Sequence, residues 1–516
     1  MNRKLLQAGK RRFAYANKLA LLLVLVLLPG TGNAQAAQAA QAPAKTKISY
    51  PREISRVTFA AAGDVIPHQA VGQAAAAHSQ AATAQTATTA PSSPTAKDAD
   101  AAAATSTPAP PAVADNHDGW DYLFAEVADV FRRADFGFVN LETPVAPVHS
   151  RGSKAFQFNA PIALLQALKF SGINIVSFAN NHIFDQGQVG FAETLDHLRE
   201  QGILATGAGA TADAAWKPAI AEKNGIKVGW LGMTRWLNGH RNPDKDSDPH
   251  VAFLPYPGEA SGSPGLDEAG LLEAIKAARA QCDLLIISIH WGIEYAVAPR
   301  PDDVELAHKM LEAGADAILG QHPHVLQPIE TYQTQDQRNT VIIFSLGNFV
   351  SNQSRTYVDG LAPDKDGETR DSLIVEFAAV KKDYGPAGTR VELGNVGILL
   401  VWTENNRLLL QSGRAKTPSI RPILIDREIP RLQAILDELN NLGAQLTREQ
   451  KQELIQVSNQ LKLLTDRRAL LLERTGDDYL IAPPNPVPAS QAPVSPAPTN
   501  RATPSPLPPN PTSSYQ

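Results

Sequence analysis

Along residues 57–402 the chain alternates two hydrophobic periodicities, and this alternation restricts the folds open to it more than any other feature. Apolar runs bounded by turn residues at 57–62, 136–139, 173–179, 226–233, 284–289, 317–319, 341–346, 373–380 and 391–402 read as strands. Between them, patterns at three-to-four spacing over 162–170, 189–201, 271–280 and 304–313 read as helices, several closing on a glycine such as Gly172, Gly202 or Gly314. Strands that alternate with helices predict an α/β layered domain, here spanning 51–425.

The flanking and inserted segments have other compositions. Residues 1–18 carry Arg3, Lys4, Lys10, Arg11, Arg12 and Lys18 without an acid, 19–28 are wholly apolar, Pro29-Gly30 breaks the run, and Ala34-Gln35-Ala36 follows. That three-part pattern is a secretory signal over 1–36, with cleavage expected after Ala36. The apolar run falls short of the ~20 residues a helix needs to cross a hydrocarbon core, so permanent anchoring is the weaker alternative. The expected location is the periplasm or cell surface, with membrane anchoring if the signal is retained. Residues 71–116 are dominated by Ala, Thr, Ser, Gln and Pro and are expected to form a disordered insertion; an Ala-rich helix over 74–87 is the alternative, without an apolar stripe to dock it. The tail, 483–516, holds 12 of the 39 prolines and predicts an extended segment. Over 427–475, Leu432, Ile435, Leu436, Leu439, Leu442 and Leu446, then Leu454, Val457, Leu461 and Leu464, repeat at helical spacing. Gly443 lies near a break, which gives a helical hairpin or coiled-coil arm. Such an arm either packs back on the domain or mediates helix-dependent self-association.

Charge and cysteine usage exclude several classes. Lys+Arg 47 against Asp+Glu 52 gives a net charge of −5, with no basic block beyond the N-terminus, so nucleic acid is not an expected partner. A single cysteine, Cys282, excludes an intramolecular disulfide and metal sites built from several thiolates. A metal would have to use His, Asp, Glu or Asn.

Those residue types recur just after the apolar strands, the address at which α/β sheets place ligand sites. The clusters are Gly63-Asp64 with His68; Asn140-Leu141-Glu142; Asn180-Asn181-His182 with Asp185; His290-Trp291-Gly292 with Glu294; Gly320-Gln321-His322-Pro323-His324; and Ser345-Leu346-Gly347-Asn348-Phe349. Carboxylates, amides and imidazoles together suit hard or borderline divalent ions. A pair of such ions clamps a phosphoryl group, activates water and offsets charge on the leaving oxygen. Each member also has a plainer reading: Asp64 as a turn cap, His68 as a loop histidine, Glu142 as half of a salt bridge, His290 as a core histidine. Gly63 suggests close backbone approach. In His322-Pro323-His324, the alternation of an extended chain is expected to put both imidazoles on one side.

Taken in this order, the clusters resemble the CapA-like poly-γ-glutamate capsule-biosynthesis family, a branch of the calcineurin-like metallophosphoesterase superfamily, from about 57 to 349 and on through the strands to 402. The resemblance implies a four-layer αββα sandwich holding two divalent metal ions (Mn, Zn, Fe or Mg). On it, Asp64 corresponds to the first metal ligand and Glu142 to a bridging carboxylate that is usually an aspartate. Asn181 is an amide ligand, and His290, His322 and His324 are imidazole ligands. His182 is the acid near the substrate, oriented by Asp185. The superfamily's first motif is Asp-x-His, whereas Asp64 is followed by Val65-Ile66 and the histidine comes only at His68, which implies a weaker first site. The implied function is an exported protein of capsule polymer synthesis with a phosphoesterase-type hydrolase site, acting on a phosphoester or an anionic polymer beside the cell-envelope capsule machinery. Two rivals accept the same ligands: a non-catalytic binding or export factor for the polymer, and a metal-dependent hydrolase of its amide bonds.

Overall fold

The structure, a computed structural model, describes residues 50–89, 117–152, 154–258 and 262–484, without the side chains of 80–89. The expected signal, residues 90–116 of the expected insertion, and the tail from 485 lie outside the described residues.

Two sheets form the centre. In the first, the strand order is Ile420–Leu424, Gly397–Asn405, Asp371–Asp383, Arg52–Val65, Phe136–Leu141, Ile173–Ser177, Leu204–Thr206, with Asn348–Val350 also pairing Arg52–Val65 and Thr389–Leu393 pairing Asp371–Asp383. In the second, it is Ile329–Gln333, Asn339–Ile343, Ala317–Gln321, Leu284–His290, Ile226–Thr234, Ala219–Lys223. Arg52–Val65 runs parallel to Phe136–Leu141, and Leu284–His290 runs parallel to both of its neighbours. The parallel strands of each sheet therefore present their carboxyl ends together.

The period of two along each strand builds the layers. Val57, Phe59 and Ala61 face the second sheet, while Ala60 and Ala62 face helices; likewise Leu284 and Ile286 point inward, and Leu285, Ile287 and Ile289 point outward. Phe59 stacks on Phe377 at 4.7 Å between ring centroids, and Phe138 stacks on Trp230 of the other sheet at 5.2 Å. Each such buried aromatic stabilises the sandwich by roughly 1.5–3 kcal/mol. Helices Ala128–Arg133, Ile162–Phe170 and Gly187–Glu200 cover the first sheet's outer face, and Glu268–Arg279 and Pro301–Ala313 cover the second's. The Asp267 side chain caps Glu268–Arg279, and Pro301 opens Pro301–Ala313 with its φ already helical. The result is the αββα sandwich.

Two expectations change, and the hairpin takes one of its two expected arrangements. Disorder from Val71 is corrected in part, because Gln69–Thr89 is a helix. Val71, Ala74 and Ala75 are buried against Trp120 and Leu123, so small side chains themselves form the docking stripe. They permit an approach so close that a Cβ on Gly119 would lie 2.0 Å from the Ala75 carbonyl oxygen. The expected strand over 391–402 divides into Thr389–Leu393 and Gly397–Asn405 around Gly394. The C-terminal hairpin, Ile425–Leu442 and Arg448–Thr475, docks on the domain: Leu432, Leu464 and Leu471 join the inter-sheet core. Its second helix starts at a Thr447/Gln450 capping box.

Candidate metal centre

The carboxyl ends of the parallel strands bring the polar clusters into one place. Asp64 ends Arg52–Val65, Glu142 follows Phe136–Leu141, and Asn181, His182 and Asp185 follow Ile173–Ser177. From the other sheet, His290 ends Leu284–His290, and His322 and His324 follow Ala317–Gln321. Gly63 has the role its position suggested: a Cβ there would come 1.8 Å from the Gly347 carbonyl oxygen, which accepts the Asp64 N–H at 3.0 Å.

Glu142 sits at the middle, fully buried. Its Oε1 lies 4.0 Å from His182 Nε2, 4.0 Å from His290 Nε2 and 3.9 Å from His324 Nε2, and has no hydrogen-bond partner among the described residues. These separations exceed the ~3.2 Å reach of a hydrogen bond. They suit donors that share a cation, each about 2.0–2.2 Å from it. On one side, His290 Nε2 lies 3.0 Å from Asn181 Oδ1 and 3.1 Å from His322 Nδ1. On the other, His324 Nδ1 lies 3.2 Å from Asp64 Oδ2 and 3.0 Å from Asn348 Oδ1.

The protonation states suit the same use. Burial, reinforced by the charges of Asp64, Glu294 and Asp185, pushes the Glu142 carboxyl well above the usual carboxylate range. Burial and the neighbouring imidazoles hold His290 and His322 well below the usual histidine range, leaving both neutral with lone pairs available at pH 7. An apolar core would not tolerate a centre so short of positive charge, and divalent ions would supply that charge. The residues present therefore fit a metal centre. Two donor groups, Asp64, Glu142 and His324, and Glu294, His322 and His324, each hold their donor atoms within 4.8 Å of one another.

His182 faces the centre through Nε2, while its Nδ1 lies 2.8 Å from Asp185 Oδ2. His68 stands apart. It belongs to neither donor group, its Nδ1 accepts the Asn352 N–H at 3.3 Å, and its ring meets Phe158 edge-on. Burial, with smaller contributions from His324, His182 and Arg355, lowers it to about 4.

Two features escaped the sequence reading. Asn140 is the hub: its Nδ2 donates to Asp64 Oδ1 at 2.8 Å and to Glu142 Oε2 at 3.3 Å, and its Oδ1 accepts from Asn180. An amide inside a buried strand was the available signal, because such a group is costly unless paired. The second is backbone. His322 (φ 96°), His324 (φ 61°) and Tyr295 (φ 65°) are left-handed, so the two histidines converge through strained turns rather than through strand alternation. Tyr295 is 53 % exposed at the rim.

Comparison with known proteins agrees with this geometry. The family model described as bacterial capsule synthesis protein PGA_cap matches residues 58–353, which contain every donor named above. The PGA biosynthesis protein CapA of Bacillus subtilis (strain 168) is 32 % identical over 270 residues, covering 52 % of this chain and 63 % of that protein. The capsule biosynthesis protein CapA of Bacillus anthracis is 30 % identical over 266 residues, covering 51 % and 59 %. A probable polyglutamine synthesis accessory protein of Mycobacterium tuberculosis is 27 % identical over 250 residues, covering 45 % and 60 %. The match thus spans less than two thirds of each relative's own length. With the family model matched over more than half its length, the chain belongs to the bacterial capsule synthesis family PGA_cap.

Proposed function

We propose that this chain is an exported, metal-dependent hydrolase of phosphoester type that serves synthesis of an anionic polyglutamate capsule polymer. The observation that carries the reading is the orphaned Glu142 Oε1, buried between three imidazoles at 3.9–4.0 Å. Asp64, Glu142 and His324 on one side, and Glu142, Asn181, His290 and His322 on the other, are the residues that would hold two divalent ions. Such ions supply Lewis-acid polarisation of a phosphoryl oxygen and a nucleophilic water at neutral pH. His182 would donate its Nε2 proton to the leaving oxygen, with Asp185 fixing the ring and balancing its charge. Phe158 packs against the His182 imidazole at 4.4 Å between ring centroids.

The polymer part of the reading rests on the relatives' names and on one loop. Arg151 and Lys154 are exposed on 148–158, and among the described residues neither is ion-paired. That loop is tied to the turn carrying the dyad: Gln157 Nε2 donates to the Asp185 carbonyl at 2.8 Å, and Gln186 Nε2 donates to the Phe158 carbonyl at 2.6 Å. Two exposed cations on a loop tied to the His182–Asp185 turn suit a substrate with repeated carboxylates. The same loop favours a second reading, in which the domain guides the polymer during export without hydrolysing it.

One assay separates the two. The full chain is loaded with Mn²⁺, Zn²⁺ or Mg²⁺, its metal content is measured, and it is offered aryl phosphomonoesters and diesters. Two ions per chain with turnover are expected. No turnover with any metal, together with saturable binding of polyglutamate, would leave only the guiding role. Export is tested by N-terminal sequencing of the protein recovered outside the cytoplasm, with Gln38 or Ala37 near the expected new terminus. Among the described residues no helix is long and apolar enough to cross a membrane.

A further inference from the structure

His68 belongs to neither donor group, yet its ring is held in one orientation beside the centre. Its carbonyl accepts the Val71 N–H at 2.8 Å, which fixes its backbone at the start of helix Gln69–Thr89, and its Nδ1 accepts the Asn352 N–H at 3.3 Å. The segment that supplies this N–H is pinned at successive residues. Asn352 Oδ1 accepts from Asn405 Nδ2 at 2.9 Å, Gln353 Oε1 accepts from Asn348 Nδ2 at 2.9 Å, and the Ser354 and Thr369 hydroxyls lie 2.6 Å apart. Asn348 Oδ1 in turn lies 3.0 Å from His324 Nδ1, which ties the segment to the centre.

A backbone amide only donates, so Nδ1 of His68 carries a lone pair and the proton of the neutral ring sits on Nε2. A nitrogen that keeps its proton cannot ligate a cation, but it can donate to an oxyanion. Nε2 finds no hydrogen-bond partner among the described residues and stays open to solvent. The ring meets Phe158 edge-on at 5.2 Å between centroids, and the same phenyl ring packs on His182 at 4.4 Å. The charges that act on His68 are those of His324, His182 and Arg355. Arg355, on the pinned segment, is exposed and has no ion pair among the described residues. A free N–H donor between the dyad imidazole and an unpaired guanidinium suits an anionic ligand.

We propose that His68 is a substrate-binding residue whose Nε2–H donates to the extra unesterified oxygen that a terminal phosphate has and a diester lacks, so that the centre prefers phosphomonoesters. The inference rests on the phosphoester reading above and narrows its substrate class. A terminal phosphate presents three unesterified oxygens and more negative charge than a diester, and His68 offers a donor from outside the ligand set to receive one of them.

The test compares the full Mn²⁺-loaded chain with His68→Phe, which keeps a ring against Phe158 without the donor, and His68→Gln, whose amide restores an N–H at similar reach. Metal content is measured by elemental analysis, affinity for inorganic phosphate by calorimetry, and kcat/KM on an aryl phosphomonoester and the matching diester. His68→Phe should keep the wild-type metal content, bind phosphate roughly 10–100-fold more weakly and lose a similar factor in kcat/KM on the monoester alone, as loss of one hydrogen bond to a charged group does. His68→Gln should recover most of both losses. Loss of metal from His68→Phe would make His68 a ligand and overturn the inference. Phosphate affinity unchanged in His68→Phe would overturn it too, and equal losses on the two esters would overturn the monoester preference. Turnover of neither ester by the wild type overturns the hydrolase reading, and phosphate binding by the same proteins then still decides the role of His68.

Discussion

Oδ2 of Asp185 serves two partners at once, His182 Nδ1 at 2.8 Å and the Phe158 N–H at 2.6 Å. The second bond immobilises the carboxylate, so the imidazole it holds is fixed in one orientation with Nε2 toward the centre. His182→Ala is therefore expected to lower kcat by about 10²–10⁴-fold while metal content stays at the wild-type level. Steady-state kinetics with elemental analysis checks this. A rise in KM with kcat intact would contradict the acid role.

The exposed cations on the 148–158 loop give a prediction for substrate rather than chemistry. The double substitution Arg151→Glu and Lys154→Glu should weaken binding of polyglutamate by roughly tenfold at low salt and flatten its dependence on ionic strength. Hydrolysis of a small aryl phosphate should be unaffected. Polymer binding that ignores the double substitution would move the contact surface elsewhere.

Arg467 joins the hairpin to the sandwich. Its Nε donates to Asp371 Oδ1 at 3.0 Å, its Nη1 donates to the Asp364 carbonyl at 3.0 Å, and the whole side chain is buried. Arg467→Ala would leave Asp371 buried without its partner and is expected to cost about 3–5 kcal/mol in chemical denaturation. Arg467→Met paired with Asp371→Leu should recover much of that loss. A cost for the alanine variant below about 1 kcal/mol would mean that the hairpin docks through its leucines alone.

Cys282 supplies a pH prediction. Burial pushes its thiol up to about 11, and Asp316 and Asp283 add to the effect against the opposing Arg279. Only the thiolate reacts, so alkylation by iodoacetamide should be on the order of 100-fold slower than for a free thiol at pH 8. The rate should rise about tenfold per pH unit through pH 10, following the thiolate fraction. A plateau near pH 9 would contradict the buried environment.

Much of this architecture was legible because parallel strands buried on both faces read as continuous apolar runs: 284–289 and 317–319 are the cores of Leu284–His290 and Ala317–Gln321. Short or half-exposed edge elements were not legible. Leu204–Thr206 and Ile329–Gln333 carry too little apolar contrast to stand out from loops. The helix from Gln69 stood only as the lesser alternative because alanine shows no apolar stripe in a sequence, yet its small side chain is what lets Trp120 lie close. At the centre, placing a residue after a strand identified Asp64, Glu142 and His290. It did not separate the hub amide of Asn140 from its neighbours. Glu294 was singled out beside His290 but given no role, because its place depends on a loop conformation rather than on a strand end. His322 and His324 were found for the wrong geometric reason, since their convergence is made by left-handed backbone.

Asp64, Glu142 and Asn181 belong to one sheet and His290, His322 and His324 to the other. A cation held by donors from both leaves would act as a clasp across them, and any sliding of one leaf against the other would pull those donors apart. Cohesion at that edge and readiness for the proposed chemistry would then be a single property, set by the divalent ion bound.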